Sequence, residues 1–319
     1  MLTKLCLLSA ACAPLLCQAA TTPNPAAAPG LADAPLAAAV GLANGYKLSP
    51  NITYARASGT DLKLDVYARP VPGPAQPVLV FIHGGGWVYG SKEMNGLAAL
   101  PYMALGFAVV NIEYRLAETA PAPAAMEDSL CALQWVGQNA RQFNFDLARV
   151  VVAGESAGGH LALGLGLMPA DSPFGHACAW KERAASPTPK VAAIINWFGI
   201  SDVNDLLAGP NQRGYAISWF GAVDGRDDLA RRLSPIHYVR AGASLPPVLT
   251  IHGDADPVVP YQQSVLLHRA LDAAGVKNRL LTIAAGGHGH FSDADTVNAY
   301  QVMRAFLVSN GVLPALPAR

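Results

Sequence analysis

The sequence carries no excess of charge of either sign. Its 319 residues include 22 Lys and Arg against 22 Asp and Glu, so the formal net charge at pH 7 is zero. Proteins that hold nucleic acid or anionic lipid electrostatically need a basic surface, and this composition argues against both partners. Only 14% of residues are charged while 52% are hydrophobic. The chain is therefore globular rather than disordered, and long enough for one large α/β domain.

A long apolar run is also missing, apart from one at the start. Residues 5–16 follow Lys4 and are almost wholly apolar, but the run is too short to span a bilayer. We expect a signal peptide over 1–20, an Ala- and Pro-rich leader over 21–45 and a single domain over 46–315. The expected location is therefore periplasmic or secreted, without a stable membrane span.

Cysteine is scarce, with five in the chain. Lipidation of Cys12 or Cys17 is a weaker alternative to cleavage of the signal peptide. Cleavage would leave Cys131 and Cys178, for which a disulfide and two buried thiols both stay open. No Cys–His spacing is typical of a metal site, so we expect neither a metal nor another cofactor.

Apolar segments alternate with helical patterns along the rest of the chain. Two strands, at 51–55 and 62–68, are expected to pair in antiparallel fashion. Six apolar segments are typical of buried parallel strands: 77–83, 107–114, 149–154, 191–199, 247–253 and 279–285. Helical patterns cover 122–143, 157–167, 262–274 and 295–309. This order predicts an α/β fold with a mostly parallel eight-stranded sheet and helices on both faces. Residues 168–190 and 204–235 fit loops or a small cap.

The stretch "GESAG" at 154–158 follows a predicted strand and precedes a predicted helix. It matches the G-x-S-x-G nucleophile elbow, in which glycines let the strand and the helix approach and lift the serine above the sheet. The alternative is a plain strand-to-helix turn. The strand–turn–helix context favours Ser156 as a nucleophile, with the N–H of Ala157 directed at an oxyanion.

A glycine-rich segment, "HGGGW" at 83–87, ends an earlier strand. Its backbone N–H groups can complete an oxyanion hole, and Gly85 and Gly86 are the predicted donors. The alternative is a flexible loop. His83 is expected to brace the loop through hydrogen bonds.

A serine nucleophile needs a base and an acid, in the chain order serine, acid, histidine. Asp256 is the predicted acid because it follows a strand and precedes Pro257. Asp254 is the second choice and fits a residue that forms the turn. Asp202 is a distant third, with helix capping as its ordinary role.

The base is sought in the glycine-rich loop after the last strand, which contains "GGHGHF". His288 is the predicted base, and His290 stays open as a competitor. The other histidines have ordinary explanations; for His252 it is a position inside a strand.

These motifs together resemble the α/β-hydrolase esterases of the hormone-sensitive-lipase and feruloyl-esterase-like (BD-FAE) group. Further matching stretches are "NIEYRLAETAPAPAAMEDSLCALQWV", "NWFGISD", "SPIHYV" and "LPPVLTIHGDADPVVPYQQS", so the resemblance extends over about residues 50–310. It implies a Ser156–Asp256–His288 triad and cofactor-free ester hydrolysis. Glu127 and Asp128 match an acidic pair of the family, expected to bind backbone or Arg115. The second histidine of "HGHF" departs from the aromatic that many relatives have there.

The expected function is a serine carboxylesterase acting through an acyl-enzyme. Short-acyl esters and acetyl or feruloyl esters of polysaccharides are the candidate substrates, and Trp87, Tyr89 and Glu155 are the candidate substrate-binding residues. A serine peptidase or an arylformamidase on the same fold is the alternative, because fold alone does not decide the substrate. A non-catalytic binding protein is a third, weaker possibility.

Overall fold

A computed structural model describes residues 34–169, 172–178 and 188–315. Internal contacts divide the chain into two units, Met1–Val40 and Gly41–Arg319. The described part of the first unit, residues 34–40, is helical and belongs to helix α1 (Ala34–Gly45). This helix falls within the predicted leader, in a stretch rich in alanine, the residue that most favours a helix. The expected signal peptide lies outside the described residues.

The remaining elements follow the predicted alternation of strands and helices. The strands are β1 (Lys47–Ala57), β2 (Thr60–Ala68), β3 (Gln76–Ile82), β4 (Ala108–Ile112), β5 (Phe145–Glu155), β6 (Val191–Trp197), β7 (Val248–Gly253) and β8 (Asn278–Ile283). The other helices are α2 (Leu100–Ala104), α3 (Ala124–Gln138), α4 (Ala140–Phe143), α5 (Ala157–Leu167), α6 (Gly214–Phe220), α7 (Arg226–Leu233), α8 (Gln262–Ala273) and α9 (Asp293–Ser309). All eight predicted strands and all four predicted helical regions are confirmed, with small shifts at their ends.

The eight strands form one sheet in the order β1-β2-β4-β3-β5-β6-β7-β8. β2 pairs in antiparallel fashion with β1 and β4, and the other neighbours are parallel. The six parallel strands, β3 to β8, end at the same edge of the sheet. Loops that leave this edge can bring side chains together from distant parts of the chain.

Both faces of the sheet are buried, as the apolar strands predict. In β3, Val78 and Val80 face a core that also contains residues of α3, α5 and α8. Leu79 and Phe81 face the opposite core, with residues of α2 and α9. Alternate side chains of a strand point to opposite faces, so a strand covered on both sides must be apolar throughout. This burial holds the carboxyl edge of the sheet in place.

A disulfide joins Cys131 of α3 to Cys178, with the two Cα atoms 5.4 Å apart. The sequence left open whether these two cysteines form a disulfide or remain buried thiols, and the structure shows the disulfide. Cys178 follows a short 3-10 helix, Pro173–Ala177, in the segment after α5. The disulfide therefore ties this segment to a core helix.

The region over 204–235 forms helices rather than irregular loop. Two 3-10 turns, Asn204–Leu206 and Gly209–Asn211, precede α6 and α7. Tyr215 of α6 lines a large cavity at the carboxyl edge of the sheet. This region thus supplies one wall of the cavity.

Candidate active site

Ser156 occupies a strained turn between β5 and α5. Its φ is +53° and its ψ is −118°, a conformation that a residue with a side chain rarely adopts. Its N–H donates to Trp197 O at 2.9 Å, which anchors the turn to β6. A Cβ on Gly154 would lie 2.3 Å from Gly158 O, and a Cβ on Gly158 would lie 2.1 Å from Ile82 O. Only glycine fits at either position, so the turn has the local structure of a nucleophile elbow.

The loop after β3 lies directly against this turn. Gly84 packs on the serine, because a Cβ placed on it would be 3.5 Å from Ser156 Cβ. Gly85 and Gly86 follow with φ values of +114° and +59°. Within the described part of the chain, the N–H groups of these two glycines donate to no other group. Both N–H groups are therefore free to donate to a ligand oxygen, as the predicted role in an oxyanion hole requires.

His83 and Tyr114 stabilise the same loop through hydrogen bonds and ring stacking. His83 Nδ1 lies 2.7 Å from Gly84 O and therefore donates to it, and the imidazole stacks on Tyr114 at 4.3 Å. The Tyr114 hydroxyl donates to His83 O at 3.2 Å. This is the bracing role expected of His83.

Asp256 and His288 form the second half of the candidate site, and of these two residues His288 lines the cavity. His288 Nδ1 donates to Asp256 Oδ2 at 2.7 Å, and the Asp256 side chain has no exposed surface. Burial raises the pKa of Asp256, but hydrogen bonds from His252 and His288 outweigh this effect and hold that pKa well below its ordinary value. Asp256 is therefore an anion at neutral pH. Since His288 Nδ1 carries a proton, its Nε2 is the nitrogen left to accept one.

The competing acids and the competing base are found in other roles. Asp254 Oδ1 accepts the N–H of Ala285 at 2.6 Å, which makes it the turn-forming residue. Asp202 Oδ1 accepts the N–H of Asn204 at 3.0 Å, at the start of a 3-10 helix. His290 is exposed on the cavity rim. Of the two histidines in "HGHF", His288 is the one hydrogen-bonded to the buried aspartate.

Residues from both halves of the site line one cavity of about 580 Å³. Its walls include Gly84, Gly85, Gly86, Ser156 and His288, together with the aromatic side chains of Tyr89, Trp197, Phe198, Tyr215, Phe291 and Tyr300. Polar groups are fewer, and include Asn95, Glu155 and Thr296. Mostly apolar walls with a few converging polar groups are typical of a small-molecule site.

Two of the three candidate substrate-binding residues line this cavity, and the third does not. Tyr89 is 62% exposed and Glu155 is largely buried, and both line the cavity. Trp87 does not: it is fully buried and stacks on Trp219 at 4.1 Å. Its φ of +60° turns the chain inward after the glycines, so its indole enters the core. The expectation for Trp87 is wrong.

Glu155 is an acid beside the predicted nucleophile and base. Burial raises its pKa, while the nearby His288 and a hydrogen bond from Asn95 Nδ2, at 3.3 Å, oppose the rise. A carboxyl with a raised pKa in a cavity is a candidate for substrate contact.

The acidic pair on α3 has a structural role. Asp128 is buried, and its carboxylate accepts the backbone N–H of Arg115 at 2.8 Å and the guanidinium Nη2 at 2.7 Å. Glu127 accepts from the same guanidinium at 3.2 Å. The pair fixes the chain after β4, as expected.

Across residues 34–169, 172–178 and 188–315, no cluster of three or more His, Cys, Asp or Glu side chains could hold a metal ion. None of the helices in those same ranges is both long and apolar enough to cross a membrane.

One contact at the site was missed by sequence reasoning. His252, in β7, directs its Nε2 at Asp256 Oδ2 from 3.1 Å and has no exposed side-chain surface. The available signal was a lone polar ring within an apolar strand, four residues before the predicted acid. Its position inside a strand gave it an ordinary explanation, which concealed this contact.

Family comparison finds two matches. Residues 64–271 match the BD-FAE family, and residues 231–317 match the family described as TAP-like protein. Esterase LipC of Mycobacterium tuberculosis is 32% identical over 233 residues, covering 71% of this chain and 56% of the relative. Esterase LipQ of the same organism is 29% identical, covering 80% and 60%. The chain thus spans little more than half the length of these relatives.

Solved structures share the fold over most of their length. A truncated form of a carbohydrate esterase from gut microbiota has a TM-score of 0.72 and 27% identity, with 83% of this chain and 97% of that one covered. An esterase from Thermogutta terrifontis, with propionate bound, has a TM-score of 0.69 at 24% identity, with 86% and 97% covered. At that identity the second comparison bears on the fold alone. The fold is the α/β-hydrolase fold, as predicted.

Proposed function

We propose, from the premise that this chain belongs to the BD-FAE family, that it is a carboxylic ester hydrolase with Ser156 as nucleophile, His288 as base and Asp256 as acid. The observation that carries the proposal is the 2.7 Å hydrogen bond from His288 Nδ1 to the buried Asp256, together with the cavity that His288 and Ser156 both line. Esterase relatives and a carbohydrate esterase of the same fold support it.

The mechanism follows from these groups. His288 Nε2 takes the proton of the Ser156 hydroxyl as the oxygen attacks the ester carbonyl. The N–H groups of Gly85, Gly86 and Ala157 stabilise the oxyanion, at about 3 kcal/mol for each donor. The imidazolium then protonates the leaving alcohol, and water releases the acid from the acyl-enzyme by the same route. Asp256 holds the tautomer and stabilises the imidazolium.

The proposed substrates are short-acyl esters and acetyl or feruloyl esters linked to polysaccharides. Aromatic walls suit an apolar acyl group, and Glu155 and Asn95 offer partners for hydroxyl groups. The structural likeness to a carbohydrate esterase adds to this.

Export to the periplasm or the medium is proposed with the function. The disulfide between Cys131 and Cys178 supports it, since disulfides persist in oxidising compartments. Fractionation of cells that express the full chain tests it: a shortened chain in the exported fraction is expected, and a full-length cytoplasmic chain would contradict it.

A substrate panel tests the activity. It comprises p-nitrophenyl esters of graded acyl length, acetylated xylan, methyl ferulate, a dipeptide amide and N-formylkynurenine. We expect turnover of one or more esters that Ser156→Ala abolishes. Folded wild-type protein that turns over none of the esters would refute the proposal, and turnover confined to the amide or to N-formylkynurenine would favour the peptidase or the arylformamidase.

A further inference from the structure

The carboxylate of Asp256 accepts hydrogen bonds from two imidazoles at one oxygen. His288 Nδ1 lies 2.7 Å from Asp256 Oδ2, and His252 Nε2 lies 3.1 Å from the same atom. The other oxygen, Oδ1, accepts the N–H groups of Val258 at 2.7 Å and Val259 at 3.0 Å. Four donors therefore use the capacity of this carboxylate.

The surroundings of His252 determine which of its nitrogens carries the proton. Nε2 also lies 3.2 Å from Val259 O, and both of its neighbours are oxygen acceptors, so Nε2 must be a donor. Nδ1 lies 2.6 Å from Ser264 Oγ on α8. In a neutral ring Nδ1 accepts, and the Ser264 hydroxyl donates to it. The hydrogen bonds thus run from Ser264 through His252 to Asp256.

Packing holds the His252 ring in this orientation. Its side chain has no exposed surface, and Ser264 is 1% exposed. The ring of Tyr261 meets it edge to face at 5.5 Å. The ring of Phe198 lies 6.5 Å from His252 and 4.7 Å from His288, so one aromatic side chain borders both imidazoles. A buried ring with partners on both nitrogens has little freedom to turn.

We propose that His252 is a positioning residue for ester hydrolysis. By donating its Nε2–H to Asp256 Oδ2, it fixes the carboxylate so that this oxygen remains directed at His288 Nδ1. The inference rests on the proposed function, because it concerns the acid of that triad. Without this donor, His288 alone holds Oδ2, so this oxygen can shift and the base loses its alignment, and a misplacement of about 1 Å can cost roughly 100-fold in rate.

Two substitutions of His252 separate positioning from mere packing. His252→Leu removes the donor, while in His252→Gln the side-chain amide nitrogen can reach a similar point and still donate. His268→Gln is the matched control, because His268 is another buried histidine, bonded to Asn278 Oδ1 at 2.5 Å, away from the cavity. For each protein, kcat and KM are measured with a short-acyl p-nitrophenyl ester, and folding is checked by near-UV circular dichroism.

We expect His252→Leu to lower kcat about ten- to 100-fold while KM changes less than about twofold. His252→Gln should recover most of that loss, and His268→Gln should keep the wild-type kcat within about twofold. If His252→Leu does not fold, Ser264→Ala takes its place. Loss of that hydroxyl should lower kcat about threefold to tenfold at unchanged KM.

An unchanged kcat in folded His252→Leu would overturn the inference, as would a Gln variant as impaired as the Leu variant. Where His252→Leu does not fold, an unchanged kcat in Ser264→Ala would do the same. A wild-type protein without ester turnover would instead refute the proposed function, so the two failures are distinguishable.

Discussion

The two halves of the candidate site are held in place by different forces. In the half that contains Ser156, backbone atoms of β3, β5 and α5 touch so closely that Gly154 and Gly158 leave no room for a Cβ. In the half that contains Asp256 and His288, four hydrogen bonds on one carboxylate set the geometry. We infer that substitutions of the packed glycines in the first half should mainly damage the fold, whereas conservative substitutions in the second half should mainly damage the rate.

The largest expected effect comes from removing His288, the proposed base. His288→Ala leaves Ser156 without a proton acceptor, and kcat should fall about 10⁵-fold or more with the fold intact. His290→Ala is the matched control, because His290 is exposed and on the rim, and it should stay within a few-fold of wild type. Steady-state kinetics with a p-nitrophenyl ester measures kcat for both variants. A greater loss in His290→Ala than in His288→Ala would reverse the assignment.

The acid should come next. Asp256→Asn keeps the shape of the side chain but loses its charge and favours the wrong tautomer of His288, so kcat should fall about 10⁴-fold. Asp254→Asn tests the neighbouring carboxylate, which accepts the N–H of Ala285. It should cost about 1 kcal/mol of stability and little activity. Equal activity losses in the two variants, measured per folded molecule, would remove the distinction between acid and turn former.

Substitution of a packed glycine in the elbow should lower the stability of the fold rather than the rate of the reaction. In Gly158→Ala the new methyl would lie 2.1 Å from Ile82 O and 2.5 Å from His83 O, both backbone atoms that cannot move freely. The free energy of unfolding should fall by roughly 3 kcal/mol. Gly214→Ala, where a Cβ meets nothing within 4 Å, is the control. Denaturant unfolding measures both, and matching stabilities would show that close packing does not hold the elbow.

The smallest effect concerns Glu155, which directly precedes Ser156 and lines the cavity. Burial raises its pKa in the folded state above the ordinary 4.5. For a carboxyl with a raised folded pKa, stability is fully present below the unfolded pKa and is lost as the pH rises through the folded pKa. Glu155→Gln should therefore raise the free energy of unfolding at pH 7, and the gain should disappear below the ordinary pKa.

Urea unfolding over a pH series measures this gain. Glu118→Gln is the control, because Glu118 is exposed. A Glu155→Gln variant that is no more stable than wild type at pH 7 would contradict the expected cost of burying this carboxylate.

The same comparison explains how much could be predicted from the sequence. The Ser156 half consists of two short segments, 83–87 and 154–158, and its close backbone packing requires glycines that are visible in the sequence. Asp256 and His288 are 32 residues apart, yet each follows a strand whose end the apolar pattern predicts. The eight strands were predictable from that same apolar pattern.

What could not be predicted depends on contacts between chain segments. His252 meets Asp256 only because the loop after β7 turns back over the strand end. Trp87 follows three glycines, but a positive φ turns it into the core. Whether Cys131 and Cys178 form a disulfide could not be predicted, because it depends on where the segment after α5 runs. A motif thus predicts backbone geometry well and side-chain direction poorly.

Covalent labelling tests the central claim most directly. A p-nitrophenyl phosphonate ester reacts with an activated serine to give a stable adduct, which peptide mass spectrometry can locate. We predict one equivalent of label per folded chain, on the peptide that contains Ser156, and far slower labelling in Asp256→Asn and His288→Ala. A label on another residue, or an active esterase that takes up none, would contradict the assignment of Ser156 as the nucleophile.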